Sequence, residues 1–261
     1  METFKLLQIT DCHLGSECNS ELLGLDTDQS LFDVLQLAKM DEQPDMIVVT
    51  GDVSGDAGLG SYSRFLAIMD KYFPRVPLAW LPGNHDEPDN MIAVGKHPIE
   101  RSHVAGGWNM IFLDSRIPRE EGGRLGEREL QRLERELEAH PDLPAAVFLH
   151  HQPVPVGSEW LDQYVVVDAD DFFQVIDRFP QVKMISWGHV HQDYYQQRNG
   201  VELIATPSTC IQFLPNSKDF KLDQTQPGYR FYELQPNGEF TTRVERALGA
   251  EYTVDMTATG Y

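Results

Sequence analysis

The sequence is poor in cysteine, in long apolar runs and in positive charge. Its three cysteines, Cys12, Cys18 and Cys210, are odd in number and form no C-x-x-C pair, which excludes a disulfide framework and fits a reducing compartment. No run of about 18 apolar residues is present that would span a membrane, and the first residues do not resemble a signal peptide. We therefore expect a soluble, cytoplasmic protein without a membrane partner.

Positive charge is scarce, with 21 Lys and Arg against 41 Asp and Glu and a net charge of −20. This balance argues against a broad surface for nucleic acid or anionic lipid, because such surfaces need clustered basic side chains. The sequence also has no Gly-rich phosphate-binding loop, no G-x-G-x-x-G and no Lys/Arg cluster. If the protein acts on a phosphate group, its site needs another local source of positive charge.

The 261 residues are 41% hydrophobic and can bury one large core, so we predict a single domain at residues 1–248 and a loosely held tail at 249–261. Apolar runs predict strands at residues 4–9, 46–49, 76–82, 108–113, 145–149, 182–187, 201–206, 231–235 and 240–245. Amphipathic spacing predicts helices at 31–40, 62–73, 127–140 and 171–179. This order indicates an α/β sheet with a second, more antiparallel sheet packed against it.

Polar motifs follow five of the predicted strands. They are Asp11-Cys12-His13, Gly51-Asp52, Gly83-Asn84-His85-Asp86, His150-His151 and Gly188-His189-Val190-His191. Any one of these is a weak signal, because a lone D-x-H or H-x-H is usually a solvated loop. Strand ends meet at one edge of an α/β sheet, where such proteins place their chemistry, and the coincidence of all five therefore predicts one shared site.

The candidate ligands are Asp11, His13, Asp52, Asn84, His150, His189 and His191. Imidazole and carboxylate without thiolate suit Fe or Mn, with Zn or Co as alternatives, rather than Mg or Ca. Seven ligands are too many for one ion, whereas a carboxylate such as Asp52 can bridge two ions about 3.5 to 4 Å apart. Two divalent ions, two carboxylates and a bridging hydroxide leave a net charge of about +1, which matches a phosphodiester monoanion.

These motifs, in this order, resemble the signature of the calcineurin-like metallophosphoesterases. Within that superfamily the chain is similar, nearly end to end, to the bacterial class III 3′,5′-cyclic AMP phosphodiesterases. The similar stretches outside the metal motifs are residues 22–28, 157–163, 206–213 and 227–230.

The resemblance implies a four-layer α/β/β/α sandwich of two packed mixed sheets, with a dinuclear site at the C-terminal ends of the strands. It implies that Asp11, His13, Asp52 and His191 bind one ion, and that Asp52, Asn84, His150 and His189 bind the other. His13, Asp52, Asn84, His85 and His191 would face the substrate. A bridging hydroxide would attack the phosphorus of cyclic AMP, and the product would be 5′-AMP. This hydrolysis would regulate the cyclic AMP level.

Residues beside the ligands are also assigned roles. His85 is predicted to protonate the departing ribose oxygen, with Asp86 as its orienting partner. His151 is interpreted as a support of the site and Cys12 as a buried, inert thiol. Trp160 is either a packing anchor or a surface on which a base stacks.

Three other functions stay open at this point. The nearest is a phosphodiesterase of broader specificity, for example for glycerophosphodiesters, because metal motifs do not select the group beyond the phosphate. The second is a non-catalytic scaffold of the same fold, although such a scaffold would lack ligands that are all present here. The third, a nuclease, is disfavoured by the acidic charge. Oligomeric state is not predicted.

Overall fold

The computed structural model describes residues 3–95, 99–249 and 251–260. The strands are β1 (Phe4–Ile9), β2 (Glu21–Leu22), β3 (Leu25–Asp26), β4 (Met46–Val49), β5 (Leu78–Trp80), β6 (Ser102–Ala105), β7 (Trp108–Phe112), β8 (Ala145–Phe148), β9 (Val182–Trp187), β10 (Tyr194–Arg198), β11 (Val201–Ala205), β12 (Gln212–Phe213), β13 (Leu222–Asp223), β14 (Gly228–Leu234) and β15 (Phe240–Arg246). The helices are α1 (Thr27–Asp41), α2 (Leu59–Tyr72), α3 (Pro88–Val94), α4 (Gly126–Ala139), α5 (Glu159–Asp162) and α6 (Ala169–Ile176).

Two mixed sheets form the centre of the fold. The first has the order β15-β14-β1-β4-β5, in which β1, β4 and β5 are parallel and β14 pairs antiparallel with β1. The second has the order β10-β11-β9-β8-β7-β6, in which the four inner strands are parallel and both edge strands are antiparallel. The C-terminal ends of parallel strands in both sheets lead directly into the loops that carry the predicted ligands.

Three apolar cores separate four layers. Side chains such as Leu6, Val48 and Phe148 fill the space between the two sheets. A second core packs α1 and α2 on the outer face of the first sheet, and a third packs α4 and α6 on the outer face of the second. This arrangement is the predicted α/β/β/α sandwich.

Local sequence explains why the helices form where they do. Asp26 caps the start of α1, because its carboxylate accepts hydrogen bonds from the backbone N–H groups of Asp28 and Gln29. In the Glu/Arg-rich α4, Leu133 and Leu137 are buried one turn apart and attach the helix to the second sheet.

The predicted elements agree with the structure except in the assignment of strands to sheets. Strands 4–9, 46–49 and 182–187 have the predicted bounds, and the other predicted elements differ by at most four residues at an end. The prediction that the later strands form a separate, more antiparallel sheet is wrong. Strand β11 joins β9 in parallel, whereas β14 and β15 return to the first sheet, because pairing between distant strands leaves no local sequence signal.

The division into a domain at 1–248 and a tail at 249–261 stays a prediction, and Ala250 and Tyr261 lie outside the described residues. Within the ranges that the structure describes, none of the helices has the length and apolar character needed to cross a bilayer.

Candidate metal centre

The loops after β1, β4, β5, β8 and β9 bring the seven predicted ligands together between the two sheets. The residues in question are Asp11, His13, Asp52, Asn84, His150, His189 and His191. Their aspartate and histidine donors form overlapping groups, of which one also contains His85 and another His151, and within each group the donor atoms lie within 4.8 Å of one another. All but Asn84 are buried.

The first group of donors is formed by Asp11, His13 and His191. The Nε2 atom of His191 lies 3.4 Å from Oδ1 of Asp11 and 3.3 Å from Nε2 of His13. His13 and His191 come from different sheets, so this group joins the two sheets at their common edge.

The second group surrounds His150. Its Nε2 atom lies 3.3 Å from Oδ2 of Asp52 and 3.0 Å from Oδ1 of Asn84. The same Oδ2 atom of Asp52 is 3.8 Å from Nε2 of His13. Asp52 therefore stands between the two groups, in the position expected for a ligand shared by two ions.

His189 supplies a direct test of whether this site fits a cation. Its backbone N–H donates to the carboxylate of Asp11, with N–O distances of 3.1 and 3.2 Å. Its Nε2 atom is fully buried and has no hydrogen-bond partner among the described residues. A buried ring nitrogen without a partner is costly unless it binds something, so this donor fits a metal ligand.

Hydrogen bonds behind the ligands select which ring nitrogen faces the site. The Nδ1–H group of His150 donates to the carbonyl of Thr50 at 2.7 Å, and that of His191 donates to the carbonyl of Ile211 at 2.8 Å. In each ring Nε2 is then the nitrogen that faces the site, and it can bind a cation once it carries no proton.

The backbone is strained at five of the seven ligands. Asp11, His13, Asp52, His189 and His191 all have φ between 47° and 61°, a left-handed conformation that is uncommon for residues other than glycine. Such strain concentrates at functional sites, where the surrounding structure maintains it. Glycine is needed next to this cluster, because a Cβ at Gly83 would lie 2.1 Å from Oδ1 of Asp52.

Charge at the site also suits a cation. Burial lowers the pKa of His13 to about 3 and that of His189 well below its usual range, so both rings are neutral at pH 7. Burial alone would raise the pKa of the Asp52 carboxyl, but His150 holds it well below its usual range. Asp52 in turn raises the pKa of His150 to about 9 against the effect of burial, so a cation that binds there displaces a proton.

His85 and Asp86 follow Asn84 in the loop after β5, and the structure separates their roles. The His85 ring lies edge-on to His13, with 5.1 Å between the ring centroids, and lines the cavity beside the ligands. The Asp86 carboxylate accepts hydrogen bonds from the backbone N–H groups of Gly83, Val53 and Ser54 and from the Tyr62 hydroxyl. These contacts make Asp86 a brace between the ligand loops, and its role as the orienting partner of His85 stays a prediction.

His151 and Cys12 are both buried, and a ring nitrogen of His151 lies within 4.8 Å of donor atoms of His150 and His189. Their roles as a support of the site and as an inert thiol stay predictions. The Nδ1 atom of His151 is 2.8 Å from the Ser115 hydroxyl, and its Nε2–H group donates to the carbonyl of Glu121 at 3.2 Å. Both ring nitrogens are thus occupied by the protein. Burial raises the pKa of the Cys12 thiol, which stays protonated.

A cavity of about 320 Å³ opens next to the ligands. Its residues are Asn84, His85 and His189 at the ligand end, Trp160, Leu161, Phe213 and Phe220 as an apolar wall, Glu121, Gln163 and Tyr164 as a polar wall, and Thr259 and Gly260. The sequence interpretation missed Glu121, Tyr164, Phe220, Thr259 and Gly260. No local motif marks them, because loops far apart in the chain bring them together.

The four-layer fold and its aspartate, asparagine and histidine donors at one sheet edge define a protein of the metallophosphoesterase class. The chain belongs to the calcineurin-like phosphoesterase family, whose sequence pattern matches residues 4–193. The resemblance to this family stated from the motifs is confirmed.

Full-length relatives are also similar. A 3′,5′-cyclic adenosine monophosphate phosphodiesterase CpdA from Vibrio vulnificus is 42% identical over 99% of this chain and 96% of its own. Proteins of the same name from Pseudomonas aeruginosa and Escherichia coli K12 are 38% and 37% identical, each over 98% of this chain and 94% of the relative.

Solved structures share the fold at low identity. A dimetal phosphatase from Danio rerio has a TM-score of 0.64 at 14% identity and covers 93% of this chain and 99% of its own. The purple acid phosphatase PPD1 from yellow lupin has a TM-score of 0.71 at 13% identity and covers 97% of this chain and 53% of its own. At these identities the likeness concerns the fold alone.

Proposed function

We propose that this chain hydrolyses 3′,5′-cyclic AMP to 5′-AMP in a two-metal site and thereby regulates the cyclic AMP level. One observation carries the proposal: relatives named as cyclic AMP phosphodiesterases share 37 to 42% of their residues with nearly the whole chain. The site supports it, because the aspartate and histidine donors lie close together and the predicted ligands Asn84 and His189 line a cavity beside them.

Residues of both sheets would hold the two ions. In this proposal Asp11, His13, Asp52 and His191 bind one ion, and Asp52, Asn84, His150 and His189 bind the other. The mixture of imidazole and carboxylate favours Fe or Mn, with Zn or Co as alternatives. When bound, two such ions supply Lewis acidity toward the phosphoryl oxygens and lower the pKa of water.

The chain's own side chains would position the substrate and move a proton. His13, Asp52, Asn84, His85 and His191 would border the phosphate. The departing ribose 3′ oxygen needs a proton, and His85, which lines the cavity beside Asn84, is the proposed donor. The Asn84 amide has its Oδ1 beside His150, which leaves its NH₂ group as a hydrogen-bond donor for a phosphoryl oxygen.

The overall charge supports a small substrate. A protein with a net charge of −20 repels polyanions, so we propose a small-molecule partner rather than nucleic acid. A cytoplasmic location is also proposed, because three cysteines without a C-x-x-C pair fit a reducing compartment.

A panel of phosphoesters tests this function. Purified protein, reconstituted separately with Mn²⁺ and Fe²⁺, would be assayed with 3′,5′-cyclic AMP, cyclic GMP, glycerophosphocholine, bis(p-nitrophenyl) phosphate and 5′-AMP. We expect cyclic AMP to be the best of the natural substrates and 5′-AMP to be hydrolysed slowly. Much faster turnover of glycerophosphocholine or 5′-AMP would overturn the cyclic AMP assignment and leave only phosphoesterase chemistry.

A further inference from the structure

We infer that residues 251–260, here called the 251–260 segment, hold Thr259 and Gly260 in place as part of the wall of the substrate cavity, and that these two residues determine which group beyond the phosphate enters it. The inference rests on the proposed function for the position of the phosphate. Its starting point is that Thr259 and Gly260 line the same cavity of about 320 Å³ as Asn84, His85 and His189.

A hairpin holds the middle of the segment. The backbone N–H of Asp255 donates to the carbonyl of Leu23 at 2.8 Å. Leu23 and Gly24 are the two turn residues between β2 and β3, with φ of 49° and 84°, as a two-residue hairpin turn of this hand requires. The turn therefore fixes the position of the Leu23 carbonyl, and the 251–260 segment binds to that carbonyl through the Asp255 N–H.

Helix α1 and the core hold the start of the segment. The hydroxyl of Tyr252 donates to Oδ2 of Asp33 at 2.8 Å. Tyr252 and Val254 also pack, half-buried, against the core cluster that contains Leu25. These side chains cover apolar surface that would otherwise face water, so the segment has a hydrophobic reason to stay in place.

A short turn then directs the chain to the cavity. The Asp255 carboxylate accepts hydrogen bonds from the backbone N–H and the hydroxyl of Thr257, at 3.0 and 2.6 Å. The N–H of Ala258 donates to the carbonyl of Asp255 at 3.1 Å. Thr259 and Gly260 follow this turn directly, so the anchor at Leu23 fixes where they meet the cavity.

The position of the segment predicts an effect on substrate selection rather than on the chemical step. Residues 251–260 include no histidine and lie outside the group of ligands, so they do not act on the phosphorus. The phosphate is at the ligand end, and the nucleoside must extend along the walls. We therefore assign to Thr259 and Gly260 contact with the nucleoside part of a cyclic nucleotide.

This inference is tested with two variants, Thr259→Trp and Gly260→Trp, each of which narrows the cavity. A Cβ at Gly260 meets no heavy atom within 4 Å, so a side chain can be attached there without a clash at its first atom. Thr259→Trp and Gly260→Trp should each raise KM for cyclic AMP about tenfold or more, as steric changes in binding pockets do. The small diester methyl p-nitrophenyl phosphate should keep its kcat/KM within about threefold. The control is Thr253→Trp, at an exposed position of the same segment outside the cavity, which should behave as wild type.

A third variant loosens the wall. Tyr252→Ala removes both the hydrogen bond to Asp33 and the apolar anchor, and should raise the ratio of bis(p-nitrophenyl) phosphate to cyclic AMP turnover. The metal content and the thermal unfolding of each variant are measured as well, and values equal to those of the wild type exclude a general folding defect.

Unchanged KM for cyclic AMP in both tryptophan variants at the cavity would overturn the inference. If wild-type protein does not hydrolyse cyclic AMP, the proposed function fails separately. The wall is then tested with the phosphodiester that the wild type hydrolyses best, compared with methyl p-nitrophenyl phosphate.

Discussion

Asp52 accepts a hydrogen bond from the backbone N–H of His85 at 2.9 Å. The bond uses Oδ1, whereas Oδ2 of the same carboxylate faces His150 and His13. One side chain thus connects both groups of ligands to the loop that carries the proposed acid. Replacement of Asp52 is therefore expected to affect metal binding and the position of His85 together.

The first prediction concerns the shared ligand. Asp52→Ala and Asp52→Asn should remove activity and lower the metal content, because neither side chain offers the anionic oxygen that both ions require. His140→Ala, at the end of α4, should change neither quantity. Metal analysis of active wild-type protein should give nearly two ions per chain. Full activity with one tightly held ion would contradict the dinuclear site.

The second prediction concerns His85. His85→Ala should keep its metals but slow cyclic AMP hydrolysis by roughly 10² to 10⁴, the usual contribution of a general acid. A substrate with p-nitrophenolate as leaving group does not need that proton and should lose far less. The two rates are compared on the same metal-loaded preparation. An equal loss on both substrates would exclude the acid role.

The strands and the ligands could be predicted from the sequence, because a buried strand that ends in Asp, Asn or His is a local pattern. Strands β6 and β10 could not, since their partly exposed edge positions lack an apolar run. The backbone strain at Asp11, His13 and Asp52 was equally hidden, because glycine is the residue that normally signals a positive φ. Contacts between distant segments, such as Asp255 with Leu23, leave no pattern in either partner.

The third prediction concerns the Asp86 brace. Asp86→Asn replaces one of two acceptor oxygens with an NH₂ group that faces backbone N–H donors. We expect the free energy of unfolding to fall by about 1 to 3 kcal/mol, the cost of unsatisfied buried donors. Urea unfolding of the chelator-treated protein measures this loss without a contribution from bound metal. Tyr62→Phe removes one donor to Asp86 and, with the same hydroxyl, the acceptor of the Glu87 N–H, so it should also lower stability. Equal stability of Asp86→Asn and wild type would rule out the brace.

The fourth prediction concerns the pH dependence of stability at Glu129. Burial alone would raise the pKa of this carboxyl, but Arg132, the N–H of Asp114 and Arg101 hold it below its usual range. A lowered pKa in the folded state stabilises the protein above the unfolded value of about 4.3, and this stabilisation disappears as the pH falls through the folded value.

Glu129→Gln should therefore lower the free energy of unfolding most at pH 7, and its difference from wild type should shrink below about pH 4. Urea unfolding at several pH values measures that difference. Groups that titrate alike in both proteins contribute equally to both free energies of unfolding, so their contribution cancels in the difference. Glu134→Gln, which breaks an exposed pair with Arg178, is the control and should leave the stability nearly unchanged at every pH, because solvent screens such a pair. A difference at Glu129 that is constant with pH would contradict the assignment.

The last prediction decides between the two interpretations of Trp160. Its ring packs edge-on against Phe213 and Phe220, with centroid distances of 4.9 and 5.0 Å, and it also lines the cavity. Phe213 in turn stacks on the ligand His191, with 4.2 Å between the centroids. Trp160 is thus part of the cavity wall, and Phe213 connects it to the ligand His191.

If a base stacks on Trp160, Trp160→Ala should raise KM for cyclic AMP about tenfold, since stacking contributes about 1 to 3 kcal/mol per base. Metal content and the rate with methyl p-nitrophenyl phosphate should then be unchanged, and Trp160→Phe should recover most of the affinity. If Trp160 only supports Phe213, the loss of packing should disturb His191, so kcat should fall on both substrates and less metal should be retained. Because the first outcome is specific to the substrate and the second is not, KM and kcat measured on both substrates separate stacking from support.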